Sequence, residues 1–281
     1  MRRSRLKAQV FFPRLVIYIL ALLWLLICLY PFAFLIQNSL KTLVEFFGGN
    51  VWRLPEKFSL TNYVQVWKAS FPRFLFNSAF VVSISLVLLI LAGSSAAFGL
   101  SRFKFRFNRF FYYLFVGGMT IPIHITLIPV YILTRRIGLY DSLWALIGPY
   151  IAFNVPITVF ILVSFMSEIP RSLEEAAYID GATKWQDFWH VVLPVSRPAV
   201  TAVGIYNSVI LWNEFVFPLI LVSTRNKRPL TLALWSFKGE FGADVPSIMA
   251  ALILSMIPLL IFYAITRERL IEGLVAGAIK G

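Results

Sequence analysis

The stretch Leu173-Glu174-Glu175-Ala176-Ala177-Tyr178-Ile179-Asp180-Gly181 lies inside a polar interruption, Ser167 to Pro198, between two long apolar runs. Its spacing predicts two short helices joined at a glycine. Ser172 and Glu175 stand three positions apart, as a hydroxyl and a carboxylate do when each satisfies a free backbone donor at a helix start. Gly181 supplies the left-handed residue that ends that helix. Thr183 and Gln186 repeat the box and open a second helix, on which Trp185, Phe188, Trp189 and Val192 follow an i, i+3, i+4, i+7 apolar stripe. Pro194 and Pro198 stop it before the next apolar run. A polar hairpin with one apolar face needs a protein partner or a bilayer surface to cover that face.

The runs on either side belong to an integral membrane protein. Of 281 residues, 59% are apolar and only 14% charged, far from the composition of a soluble globular domain. The net charge of +13 is spread over the N-terminus and many short connecting segments. No basic face or base-reading motif gathers it, so lipid headgroups and topology account for it and nucleic acid does not. Cys28 is alone and sits in an apolar run, which excludes a disulfide or a zinc site within the chain.

Six runs are long enough for about 30 Å of hydrocarbon: Leu15 to Ile36, Phe74 to Leu100, Phe110 to Leu133, Leu143 to Phe165, Ala199 to Val222, and Ile248 to Ile265. The expected organisation is a basic N-terminus (1–14), a six-span domain (15–265) and a C-terminal tail (266–281). Arg2, Arg3, Arg5 and Lys7, with Arg102, Lys104, Arg106 and Arg109, place both termini and the hairpin (167–198) in the cytoplasm by the positive-inside rule. Segments 37–73 and 223–245 then lie outside, although Lys41, Arg53, Lys57, Lys68, Arg225, Lys227 and Arg228 lie there against the rule. Gly93, Ser94, Ser95, Ala96, Ala97 and Gly99 predict close helix packing in the second span. Gly117, Gly118, Pro122 and Pro129 predict a broken or bent third span.

Chemistry of its own is not indicated. No phosphate-cradling G-x-x-x-x-G-K-[ST] loop occurs, so if ATP drives the protein another subunit binds it. His124 and His190 stand far apart, no H-E-x-x-H is present, and no serine has a plausible histidine and carboxylate set, so no catalytic residue and no metal ligand is assigned. Glu214, beside Asn213, is a carboxylate at membrane depth, which is costly unless paired, protonated or facing water. It either lines a pathway, makes a buried structural hydrogen bond to a neighbouring helix, or lies close enough to the outer interface to be solvated. The first role would also suit a proton-coupled carrier, although such carriers usually show several intramembrane ionisable groups.

Glu175-Ala176-Ala177, then Gly181, then Val191-x-Leu193-Pro194 resembles the EAA loop, E-A-A-x-x-x-G-x9-I-x-L-P, of importer-type ABC transporter permeases, with valine at the isoleucine position. Asn77-Ser78, Leu100-Ser101-Arg102, Trp212-Asn213-Glu214-Phe215 and the Gly273 to Gly281 end extend the likeness over nearly the whole chain. Together they are similar to the carbohydrate-importer branch, which contains the shorter permease of the maltose transporter.

The resemblance implies an all-α type I importer permease fold in the inner membrane of a prokaryote, moving a carbohydrate inward by alternating access. The implied partners are a second permease subunit, two ATPase subunits that hold ATP and Mg, and an extracytoplasmic solute-binding protein. On the hairpin, Glu174, Glu175, Ala176, Ala177, Asp180, Gly181, Leu193 and Pro194 take docking roles toward the ATPase, with the Trp185 to Val192 stripe turned to the protein's own helices. Gly273, Gly277, Lys280 and Gly281 belong to a flexible tail along the ATPase interface. Arg225, Lys227, Trp235 and Lys238 are the candidates for contact with the binding protein.

Overall fold

The computed structural model describes the backbone of residues 2–240 and 244–278 and the side chains of 14–235 and 244–266. Among the described residues all regular structure is helical. The chain divides into two compact units, residues 1–69 with 237–254 and residues 70–236 with 255–281.

The first unit is built on α1 (Arg2–Ser39), followed by α2 (Leu43–Gly48) and α3 (Thr61–Lys68). The segment after α1 folds back on it. Trp52 stacks on Tyr30 and meets Phe34, with ring centroids at 5.4 and 4.7 Å. The Asn62 amide donates to the carbonyls of Ser39 and Lys41 at 2.7 and 2.8 Å. Lys41 Nζ in turn donates to the Val51 carbonyl at 3.0 Å. Polar side chains thus satisfy carbonyls freed where α1 ends.

The second unit has α4 (Phe71–Arg102) as its spine, then α5 (Asn108–Gly118), α6 (Ile123–Arg136) and α7 (Trp144–Glu168). The small residues of α4 do what their spacing predicts: a Cβ at Gly93 would collide with the Thr158 methyl of α7. The hairpin follows as α8 (Arg171–Ile179), α9 (Lys184–Asp187), a π-helical turn (Phe188–Val192) and α10 (Leu193–Val195). Then come α11 (Arg197–Asn213), α12 (Val216–Leu221), a 3-10 turn (Arg225–Lys227) and α13 (Leu230–Glu240). Asn207 of α11 donates to Thr158 Oγ1 at 3.1 Å, so three helices meet at Thr158. Two apolar cores result, one around Val81, Leu146, Phe217 and Leu221, the other around Ala97, Leu162, Met166, Phe188 and Val192.

Both α13 and the last helix, α14 (Val245–Ala278), carry residues of both units. Among the described residues four helices are long and apolar enough to cross a membrane, namely residues 14–39 of α1, α4, α7 and residues 245–266 of α14. Two bent pairs raise the number to as many as six.

One expectation about the spans holds and two about the chain's second half change. The third run is broken as predicted, with a 99° bend between α5 and α6, where Pro122 caps α6 in extended conformation. The fifth run, expected as one helix, stops at Asn213 and restarts at Val216. Glu214 adopts extended φ and ψ, and its Oε1 accepts from the amides of Val216 and Phe217 at 2.7 and 3.1 Å. A carboxylate offered to free amides starts a helix anew, which the apolar pattern alone does not show. The expected flexible tail is helical through Ala278, including Gly273 and Gly277. Leu, Ala, Arg and Glu in that segment outweigh its two glycines. Lys280 and Gly281 lie outside the described residues.

Candidate functional site

The hairpin forms for reasons partly different from those its spacing suggests. Pro170 caps α8 without any side-chain hydrogen bond, so the Ser172 and Glu175 box is not made and Ser172 lies within the helix. Proline cannot donate its own amide and suits a helix start, which moves the boundary two residues upstream. The other two signals hold. Gly181 has φ +84°, with Ala182 N donating to Ala177 O at 2.9 Å and Gly181 N to Tyr178 O at 3.1 Å, the paired bonds of a Schellman ending. Thr183 and Gln186 make both bonds of a capping box.

The apolar stripe of the second helix divides. Phe188 and Val192 are buried in the core with Phe98, Leu162 and Met166, whereas Trp185 is 62% exposed and Trp189 is also exposed. The π turn explains the split, because its wider register rotates successive residues away from a 3.6-residue stripe. Pro194 has no amide to offer the His190 carbonyl four residues back, which favours that widening.

One member of the expected docking set faces inward. Glu174 is 6% exposed, and its Oε1 lies 3.0 Å from Arg102 Nε at the end of α4. Arg102 also donates from Nη2 to the Ile169 carbonyl at 3.2 Å. Asp187 is fully buried, and its Oδ2 accepts from the Tyr178 hydroxyl at 2.6 Å. Lys184 donates to the same hydroxyl at 2.6 Å and sits 3.8 Å over the ring. Burial pushes the Glu174 carboxyl above its ordinary value; Arg102 opposes the shift and the nearby Asp187 adds to it. Burial and the bond to Asp187 likewise raise the Tyr178 hydroxyl.

The outer face is left to Glu175, Ala176, Asp180, Gly181 and Pro194, all exposed, with Ala177 and Leu193 half-buried. Ile179, 86% exposed at the tip of α8, was not singled out by its pattern. Beside it a hollow of about 310 Å³ is lined by Ala177, Asp180, Gly181, Gln186, His190 and Val191, among others. The surface thus offers two exposed carboxylates, an apolar tip and a shallow depression floored by small residues.

At the other end of α4 the connection between α12 and α13 is held by side chains. Asn77 donates to the carbonyls of Asn226 and Arg228, both at 3.0 Å, and the Ser78 hydroxyl accepts from Leu230 N at 2.7 Å. Asp141, with φ +56°, accepts from the amides of Ser223 and Thr224 at 2.9 and 2.8 Å and from the Thr224 hydroxyl at 2.6 Å. Lys227 pairs with its carboxylate at 3.2 Å, so this candidate is engaged in the loop's own structure. Trp235 is exposed, its ring 5.9 Å from Phe215. Arg225 lies in the 3-10 turn, and the side chain of Lys238 is outside the described residues.

Partial burial would raise the Asp141 carboxyl, yet the Thr224, Lys227 and Ser223 donors hold it well below the usual carboxylate range. A depressed folded value means that its stabilisation is complete above the ordinary carboxylate pKa and declines only on acidification below it. Asp141→Ala is therefore expected to speed amide exchange at Ser223 and Thr224 about tenfold or more at neutral pH. It should also open the Arg225 to Arg228 segment to trypsin. Unchanged exchange and cleavage would remove the clamp role. No single-residue pattern marked Asp141, because its partners lie more than eighty positions away.

Between these ends, Glu214 lines a cavity of about 210 Å³ with Gly118, Tyr150, Phe153, Asn154 and Phe217, among others. Glu214 Oε1 thus caps α12, and the residue borders a cavity. Asn213 is exposed and donates to the Val209 carbonyl of its own helix at 2.8 Å.

Residues 89–274, which include the hairpin, match the family described as the binding-protein-dependent transport system inner membrane component. The chain belongs to this family. It is 47% identical over 264 residues to a putative ABC transporter permease protein from Caldicellulosiruptor sp. (strain Rt8B.4), covering 94% of this chain and 96% of that one. It is 32% identical over 274 residues to the trehalose/maltose transport system permease protein of Thermococcus litoralis, covering 95% and 97%. A crystal structure of a bacterial ABC transporter involved in import of the acidic polysaccharide alginate contains a chain of the same fold, with TM-score 0.77 and 23% identity over 92% of this chain and 96% of that one. The helical architecture described above is thus that of a type I importer permease.

Proposed function

We propose that this chain is the membrane-spanning subunit of an importer that takes a carbohydrate from an extracytoplasmic binding protein into the cytoplasm. The hairpin docks on an ATPase subunit that holds ATP and Mg, and both termini lie on that side. The observation that carries the reading is the division of the hairpin. One half is locked into the unit through Glu174, Asp187, Phe188 and Val192, while the other half exposes Glu175, Ala176, Ile179 and Gly181, which nothing among the described residues covers. An element anchored on one face and open on the other transmits displacement, since a packed contact moves as a unit.

Closure of an ATPase dimer would draw two such hairpins together, one from this chain and one from a second permease, and turn the path outward; hydrolysis would reset it. Sugar as cargo is supported by the trehalose and maltose named for the Thermococcus relative and the alginate of the structural neighbour. The clamped loop at Arg225 to Arg228, near Trp235, is the surface for the binding protein. Reconstitution of this chain with a second permease, the ATPase and a sugar-loaded binding protein should give uptake that requires ATP and every partner. Uptake driven by a pH gradient without ATP would overturn the assignment in favour of a proton-coupled carrier acting through Glu214.

A further inference from the structure

We propose that the turn between α4 and α5 is a binding site for the phosphate headgroup of an anionic phospholipid. The turn encloses a hollow of about 420 Å³ whose walls include Lys104, Arg106, Arg109 and, from the start of α8, Arg171. Among the described residues none of these cations has an ion pair or hydrogen bond to a carboxylate. Sequence explains the imbalance, for the chain from Lys57 to Tyr140 contains no Asp or Glu. Positive charge gathered in a depression without internal counterions recruits an anion from its surroundings.

The site is built rather than merely charged. Asn108 donates from Nδ2 to the carbonyls of Leu100 and Phe103 at 2.9 and 2.8 Å, closing the turn over α4's end. The Asn108 amide donates to the Phe105 carbonyl at 3.1 Å, and the Phe103 amide to Gly99 at 3.1 Å. With its backbone fixed, the turn presents its alternating cations at defined positions. Arginine suits a phosphate because its planar fork can bond two oxygens at once.

The surroundings decide between a lipid and a protein as the source of the anion. Phe103, Phe105, Phe107 and Phe110 are between 41% and 60% exposed around the same turn. This turn joins α4, which has the length and hydropathy of a span, to α5, the first arm of a bent span. Aromatic rings at that depth lie against acyl chains while the cations among them reach headgroups. An acidic protein surface would have no use for the aromatic fringe, whereas a phospholipid supplies both halves of the contact.

The test is native mass spectrometry of the intact importer complex, released from nanodiscs that mix phosphatidylglycerol with phosphatidylethanolamine. Wild type is expected to retain phosphatidylglycerol selectively. Each basic residue near a membrane surface contributes about a fivefold factor, so Arg106→Gln with Arg109→Gln should weaken retention about thirtyfold. Lys104→Gln alone, a milder change, should weaken it about fivefold. Arg135→Gln with Arg136→Gln, at the far end of α6, should leave it unchanged. Equal retention by wild type and the Arg106 and Arg109 variant would overturn the site. So would undiminished lipid retention with loss of the ATPase subunit, which would assign the cations to a protein surface.

Discussion

Gly181→Leu is expected to reduce ATPase stimulation and sugar uptake about a hundredfold or more while leaving membrane insertion intact. Two costs combine. A side chain at φ +84° adds about 1–2 kcal/mol of backbone strain. The added side chain also projects beside a hollow whose floor is made of Ala177, Ala182 and Gly181. Overfilling a packed contact costs about 1–3 kcal/mol, and about 3 kcal/mol in total corresponds to roughly two decades in binding. Gly181→Ala carries the strain without the bulk and should lose about tenfold. Gly181→Asn, which tolerates the left-handed region, should keep the Schellman ending. Co-purification of the ATPase subunit separates the causes, since the leucine should lose it and the alanine should retain it. Normal uptake by the leucine variant would remove the docking role of this face.

The same hairpin shows how far the sequence could be read. Gly181 and the Thr183 to Gln186 box were legible because their physics is local: a left-handed residue and a side chain that reaches three positions. The six apolar runs were legible because bilayer thickness sets their length. What failed depended on a neighbour in space or on a competing local signal. Pro170 displaced the Ser172 box by one local rule overriding another. The stripe from Trp185 to Val192 is a single face only on a 3.6-residue period, and the π turn ahead of Pro194 breaks that period. Glu214 read as a membrane-depth charge with several explanations, and only the path of the chain at Val216 shows its carboxylate starting a helix.

Asp141 is the extreme case. Nothing within ten residues of it signals a clamp, and the loop it holds lies beyond seven intervening helical elements, from α7 to α12. Lys227 shows the same limit, since its pairing with Asp141 at 3.2 Å cannot be read from the loop's own residues. Adjacent residues in the motif show the same limit at higher resolution. Glu174 and Glu175 have identical side chains, and which one meets a partner depends on how α8 is rotated against Arg102.

That rotation makes Arg102→Ala the second large effect. Removing one member of a buried ion pair strands the other, at a cost of about 3–5 kcal/mol. Here the stranded Glu174 would lie near Asp187, a second buried acidic residue, with no guanidinium between α4 and α8. The hairpin is expected to detach from α4, visible as faster hydrogen exchange over residues 171–187, and ATP hydrolysis should become independent of the binding protein. Glu174→Gln in the same chain removes the stranded charge and should restore part of the exchange protection, which a general folding defect would not allow. Arg102→Lys keeps a cation but not the added bond to the Ile169 carbonyl, so it should fall between the two. The pH response has a definite sign. Folding already raises the Glu174 pKa, so its contribution to stability falls as pH rises from the ordinary carboxylate value through the raised one. Arg102 opposes that rise, and without it the pKa moves further up, so the alanine variant should be most impaired above that raised value and recover as pH falls through it. A defect that deepens on acidification, or one that Glu174→Gln leaves untouched, would show that Arg102 serves the fold generally and does not latch the hairpin through Glu174.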